Sequence, residues 1–320
     1  EKLQRGERRS MPAICEENGE VRKFVEQLER CPVEITVEGV DLANLDRFSK
    51  SDPFVVGYIK DEKQENAVWL EFGKTETIWD DLNPRFVEKF ILKCNRRTVK
   101  SLNLRFDFYD RDSKEHEDLT RHDFIGSAYC TVREILASPG FTLKMALQNP
   151  MMKKKPGSAI FSAEFRKPLS QPRNVCFNVS FGPIFDCRHM KVFYEISRRL
   201  PGGAWSVVYR SEPMKLHKTA DANKFDPCVT DEVDLTGGHE LKGLQLALYQ
   251  TRWLNKGKPE FLGAITFCLE GLLFQTPGYI LKFGSGQIGD LTSVSDRQAS
   301  LFASESDKRT CTFDLRLQNF

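Results

Sequence analysis

The stretch LANLDRFSKSDPFVVGYI, residues 42–59, decides the fold. Asp46 and Asp52 sit six residues apart in a polar turn, and Pro53 closes that turn ahead of an apolar run that reads as a strand. A second stretch has the same grammar. In LNLRFDFYDRDSKEHEDLTRHDFIG, residues 102–126, Leu102, Leu104, Phe106 and Phe108 alternate with other residues, and the half-buried strand they predict runs straight into Asp110 and Asp112. Residues two apart in an extended chain point to the same side, so both carboxylates can face one point while Arg111 faces away.

With Asp123 there are five aspartates in two segments set up as loops between strands. Acceptor-only oxygens gathered at one end of a β-sandwich suit calcium, which takes about 6–8 oxygen ligands in a tolerant geometry. With carbonyls and water they supply donors for roughly two or three ions. Without a cation the arrangement is costly, because like charges about 4 Å apart repel by roughly 4 kcal/mol at an effective dielectric near 20. Each close pair raises some carboxylate pKa values.

Four ordered phrases extend the pattern: SKSDPF at 49–54, TETIWDDLNPRF at 75–86, FYDRD at 108–112 and HDFIG at 122–126. Together they resemble the C2 domain, an eight-stranded antiparallel sandwich whose apical loops bind calcium and phospholipid. Within that family the chain is most similar to copines, on the S-K-S-D-P-F phrase, the T-E-x-I and L-N-P phrase, and the ten residues between Asp112 and Asp123. The resemblance implies that Asp46, Asp52, Asp110, Asp112 and Asp123 are the calcium ligands. Asp118, an extra acid in the long loop, has no assigned role.

The 320 residues suggest about two domains of roughly 100–200 residues. A faint internal repeat relates 33–167 to 174–320. CFNVSF at 176–181 answers VEITVEG at 33–39, WSVVYRSE at 205–212 answers VWLEFGKTE at 68–76, and LQLALYQTR at 244–252 answers LNLRFDFYDRD. The acids do not survive the repeat: Gln250 falls where Asp110 is, Arg252 where Asp112 is, and Glu260 where Asp123 is. The expected fold is therefore all-β, two eight-stranded antiparallel C2 sandwiches in tandem with a short N-terminal helix. Residues 1–30 are an N-terminal extension, 31–168 the first domain, 169–175 a linker and 176–320 a second, calcium-independent domain. In the extension Val21, Phe24, Val25 and Leu28 fall at helical spacing and predict a helix docked on the first sandwich. GSAIFSAEFRK at 157–167 supplies the first domain's last strand, TCTFDLRLQN near the C-terminal end supplies the second's, and SVSDRQASLFASESDKR at 293–309 reads as a disordered loop.

Charged residues make up 29% of the chain but the net charge is only +2, so no overall field draws it onto nucleic acid. Nine scattered cysteines without C-x-x-C spacing predict reduced thiols in a cytosolic setting. The most apolar stretch, 261–274, is too short to span a bilayer and carries Glu270, and no signal-peptide pattern is visible. Catalytic motifs are weak. GSGQIG at 284–289 lacks a following helical pattern and reads as a turn, His116 and His122 read as solvated loop residues, and no G-x-S-x-G elbow occurs. A binding protein rather than an enzyme is expected.

These features predict calcium-gated docking of a cytoplasmic protein on anionic phospholipid membranes. Arg47, Lys50, Lys114 and Arg121 are placed to reach headgroups, and Phe48 and Leu119 to enter the acyl boundary. Arg188, Lys191, Arg252, Lys256 and Lys258 form a possible basic surface on the second domain, each contributing about 1 kcal/mol near an anionic leaflet. Two alternatives stay open: a calcium-regulated adaptor for a partner protein, and a scaffold indifferent to calcium. Copines also carry a von Willebrand A-type domain with a D-x-S-x-S motif, which does not occur in these 320 residues.

Overall fold

A computed structural model gives the structure, which describes residues 26–318 apart from 48, 64, 96, 113–117, 170–173, 182–189, 216–223, 240, 253–258, 270–279, 282–286 and 291–310. Eight strands come first: β1 (Val33–Val40), β2 (Pro53–Asp61), β3 (Leu70–Lys74), β4 (Phe90–Leu92), β5 (Leu102–Asp110), β6 (Asp123–Thr131), β7 (Thr142–Ala146) and β8 (Ser158–Phe165). They form two four-stranded sheets, β4-β1-β8-β7 and β3-β2-β5-β6, all antiparallel. β8 pairs along the whole of β1, from Val33 opposite Phe165 to Val40 opposite Ser158.

Alternation builds this core. Leu102, Leu104, Phe106 and Phe108 are buried while Asn103 and Arg105 reach the other face, as a period of two requires. The Phe106 ring centroid lies 4.7 Å from that of Phe161 and 5.1 Å from that of Phe90, so the two sheets interlock through aromatic contacts. Residues 26–30 are helical and Leu28 joins this core; Val21, Phe24 and Val25 lie outside the described residues.

The second half repeats the plan. Its strands are β9 (Asn174–Phe181), β10 (Met190–Arg199), β11 (Trp205–Arg210), β12 (Met214–Lys215), β13 (Cys228–Asp231), β14 (Leu244–Arg252), β15 (Glu260–Phe267), β16 (Ile280–Leu281), β17 (Gln287–Asp290) and β18 (Cys311–Gln318). The orders β13-β9-β18-β16 and β11-β10-β14-β15 match those of the first sandwich strand for strand. β12 and β17 are additional, and β17 pairs with β15 in parallel, a departure from the expected all-antiparallel pairing. The G-x-G-x-x-G match ends in strand β17; residues 284–286 and the serine-rich 293–309 lie outside the described residues.

Details of the repeat reach single atoms. Val55 N donates to Thr75 Oγ1 and Thr75 N to Val55 O at 2.9 Å each. Tyr194 N donates to Ser211 Oγ at 3.0 Å and Ser211 N to Tyr194 O at 2.9 Å. A bulge interrupts β5/β6 at Phe108/Tyr109 and β14/β15 at Leu248/Tyr249.

The two sandwiches pack through a face that alternation alone assigns to solvent. Thr36, Ser162, Glu34 and Glu164 point out of the first sandwich yet are buried. Arg198 of β10, 1% exposed, forms ion pairs with Glu34 and Glu164, and Lys242 Nζ reaches Glu164 Oε2 at 2.5 Å. Further along, Arg85 meets Glu195 at 3.5 Å, Arg210 donates to Arg85 O at 2.9 Å, and Lys89 Nζ donates to Val207 O at 2.7 Å. Burial pushes Lys89 down to about 8. Because Glu34 faces Arg198 while Arg85, bridged to Glu38, faces Glu195, β1 and β10 run in opposite directions. The β1–β2 loop of the first sandwich and the Met190/Arg252 end of the second therefore point the same way.

Candidate metal centre

Three loops meet at one end of the first sandwich: β1–β2 (41–52), β3–β4 (75–89) and β5–β6 (111–122). Backbone bonds splice them. Leu42 N donates to Leu82 O at 2.9 Å, Ile78 N to Pro53 O at 3.0 Å, and Arg111 N to Asp52 O at 3.0 Å. Ser51 is fully buried, accepts from Leu45 N at 2.9 Å and stiffens the first loop. Gly157 closes the floor at φ +106°, where a Cβ would stand 2.7 Å from Asp41 O.

The carboxylates are turned onto backbone N–H groups. Asp110 Oδ1 accepts from Asp52 N at 2.6 Å, Asp52 Oδ1 from Asp80 N at 2.6 Å, and Asp112 Oδ2 from Asp123 N at 2.9 Å. Asp46 Oδ2 accepts from Ser49 Oγ at 2.7 Å. Asp110 and Asp123 stand opposite one another in the β5/β6 ladder. Among the described residues no three such side chains converge as a finished metal cage. The field still reports a cluster. Burial, then the neighbouring carboxylates of Asp46 and Asp112, push the Asp110 carboxyl above its ordinary range. Asp52 rises for the same reason against Asp80, Asp110 and Asp46, and Asp123 against Asp112 and Asp46.

Asp110 is 1% exposed; the Ser51 hydroxyl and the Asp52 N–H lie against its carboxylate and favour the charged form, while its buried Oδ2 has no partner of good hydrogen-bond geometry. An acceptor in that state costs free energy unless a donor or cation completes it. Hard oxygen donors, mutual repulsion and one buried oxygen without a well-placed partner fit calcium.

Asp80 is an addition the sequence reading missed. It sits at φ +55°, its N–H binds Asp52, and its Oδ1 accepts from Lys50 N at 3.2 Å. Its neighbour Trp79 is 49% exposed on the same loop. Of the residues placed toward lipid, Arg47 and Arg121 are exposed and Lys50 and Leu119 half-buried, while Phe48 and Lys114 lie outside the described residues. Asp118 acquires a role: it caps the Leu119–Arg121 turn, accepting from Thr120 N at 3.0 Å. His122 is a correction. It is buried, with its ring edge-on to Phe54 at 5.3 Å, because the loop folds it back over β2; His116 lies outside the described residues.

In the second sandwich the register pair Gln250–Glu260 stands where Asp110–Asp123 stands in the first, two positions past the same bulge. Gln250 Nε2 donates to Glu260 Oε2 at 2.5 Å, so this pair completes itself. Lys191, opposite Thr251, holds the position of Asp52, opposite Arg111. The side chain of Arg252, and Arg188, Lys256 and Lys258 entirely, lie outside the described residues.

The C2 domain family profile matches residues 33–147. The chain is 29% identical to Copine-D of Dictyostelium discoideum over 123 residues, covering 38% of this chain and 23% of that protein. It is 26% identical to Copine-A of the same organism over 237 residues, 72% of this chain and 36% of that one. It is 25% identical to Nicotinic receptor-associated protein 1 of Caenorhabditis briggsae over 321 aligned positions, 90% of this chain and 48% of that one. Among solved structures, a C2 domain of plant Extended Synaptotagmin 1 matches 44% of this chain and 97% of its own at 20% identity and a TM-score of 0.32. The chain thus spans about half or less of the length of these curated relatives. The profile match makes residues 33–147 similar to a C2 domain, and the all-β sandwich agrees with it. More closely, it is copine-like.

Proposed function

We propose that the chain docks on anionic phospholipid membranes when calcium rises, through the loop end of its first sandwich. The observation that carries this reading is Asp110: a buried carboxylate with one oxygen lacking a partner of good hydrogen-bond geometry, pressed upon by further aspartates from the same loops. Asp46, Asp52, Asp110, Asp112 and Asp123 would hold calcium, which supplies positive charge and a point of attachment for a lipid phosphate oxygen. Alone, these carboxylates are repelled by a leaflet at about −30 mV. Arg47, Lys50 and Arg121 border them, and Trp79 offers an amphipathic ring of the kind that settles at a membrane interface. The reading makes this a cytoplasmic protein that meets membranes peripherally. No helix among the described residues is long and apolar enough to cross a bilayer.

Co-sedimentation with phosphatidylserine vesicles tests this. Wild type should pellet only with calcium, Asp110→Asn/Asp112→Asn should stay soluble, and Trp79→Ala should pellet several-fold less while still binding calcium. Equal pelleting with and without calcium would reject the reading. A second reading has one specific support: the relative that aligns with 90% of the chain is named for association with a receptor. There the same site gates a protein partner, vesicles stay unbound, and calcium-dependent capture of protein remains.

A further inference from the structure

A cleft of about 600 Å³ lies between the exit of β8 and the far end of the second sandwich, lined by Lys167, Arg199, Pro201, His239, Leu241 and Lys242. It is cationic. Lys242 is balanced by Glu164 and the adjoining Arg198 by Glu34 and Glu164, but neither Lys167 nor Arg199 forms an ion pair with any acid among the described residues. His239 registers the resulting field. Burial first, then Lys167 and Lys242, hold its imidazole down at about 4, and it bonds the Phe165 backbone.

We infer that this cleft is an anion site for a soluble phosphate ester, with Lys167 and Arg199 supplying two charges to match a phosphate dianion. A guanidinium presents paired N–H donors to phosphate oxygens and an ammonium adds a point charge. The two cations come from different sandwiches, so an occupant would staple the pair together.

Position favours a soluble ligand over a lipid headgroup. Val33 pairs with Phe165 at the cleft end, and Val40 with Ser158 at the acidic loops. Seven residue steps along β1 separate the two ends by roughly 23 Å. In the second sandwich the cleft adjoins the Arg198/Leu244 end of the ladder, opposite Met190/Arg252. A bilayer met by the acidic loops leaves the cleft facing away.

The experiment is calorimetric titration of the intact chain with inorganic pyrophosphate in calcium-free buffer at physiological salt, beside vesicles of phosphatidylcholine carrying a phosphatidylinositol bisphosphate. Pyrophosphate should bind, with about tenfold or more affinity lost for each of Lys167→Gln and Arg199→Gln. Arg47→Gln/Lys50→Gln should bind as wild type. Proton NMR of the His239 ring should show its pKa rising on pyrophosphate addition, and this rise should vanish in the Lys167→Gln/Arg199→Gln variant. Absence of pyrophosphate binding, undiminished binding in that folded variant, or binding confined to vesicles would overturn the assignment.

Discussion

The two sandwiches share a scaffold and part company at one end. Both keep an aromatic layer under the loops: Phe54 stacks on Tyr109 at 5.5 Å, and Phe193 on Tyr249 at 5.2 Å. Both keep the bulge above it and the Ser/Thr bridge behind it. Two positions past the bulge the first has Asp110 opposite Asp123, and the second has Gln250 opposite Glu260. The fold is set by apolar layers that tolerate many sequences, whereas cation chemistry hangs on a few positions. The first sandwich sets carboxylate against carboxylate at this place, whereas the second sets an amide against a carboxylate and that pair satisfies itself.

The largest effect is expected where the sandwiches meet. Arg198→Ala leaves Glu34 and Glu164 buried without their shared cation, which should cost about 3–5 kcal/mol in denaturant unfolding. If both halves lose stability together they form one body; loss confined to the second half would show that the contact is dispensable to the first.

Equivalent positions should respond with opposite signs. Without calcium, Asp110→Asn removes a buried charge and its repulsion by Asp46 and Asp112, and should raise the midpoint of denaturant unfolding. Gln250→Ala strips Glu260 of its donor and should destabilise by about 1 kcal/mol. The same sign at both positions would break the comparison. pH sharpens it. Asp52, Asp110 and Asp123 have folded pKa values above the ordinary 3.8, so the folded state holds more protons than the unfolded chain just above that pH. Calcium-free stability should therefore fall as pH rises from 3.8 through the raised values. The fall should be shallower in Asp110→Asn.

The smallest effect should be equal in the two halves. Thr75→Val and Ser211→Ala each remove the hydroxyl that receives a β-strand N–H, and each should cost about 1 kcal/mol in thermal unfolding. A clear inequality would mean that the bridges are not equivalent.

Much of this was legible in the residues. Period-two alternation marks β5, Pro53 marks the start of β2, and Asp110 and Asp112 announce themselves by spacing. What escaped was set by register and by long-range packing. Asp80 reads as one acid of a loop phrase until a φ of +55° turns its N–H onto Asp52. Lys191 reads as one cation of a basic loop end, and only the ladder shows it at the start of a strand in the place of Asp52. Glu34 and Glu164 alternate with core residues and so read as solvated; their partner Arg198 is 164 residues from Glu34. A polar strand face looks the same in sequence whether water or another domain covers it.

Calcium titration of the intact chain by calorimetry, wild type beside Asp110→Asn/Asp112→Asn, tests the central claim most directly. Wild type should bind calcium and the double variant should give no binding heat, since among the described residues the second sandwich sets Gln250 against Glu260 where the first sets Asp110 against Asp123. Calcium binding that survives in the double variant would contradict the division of labour between the two sandwiches.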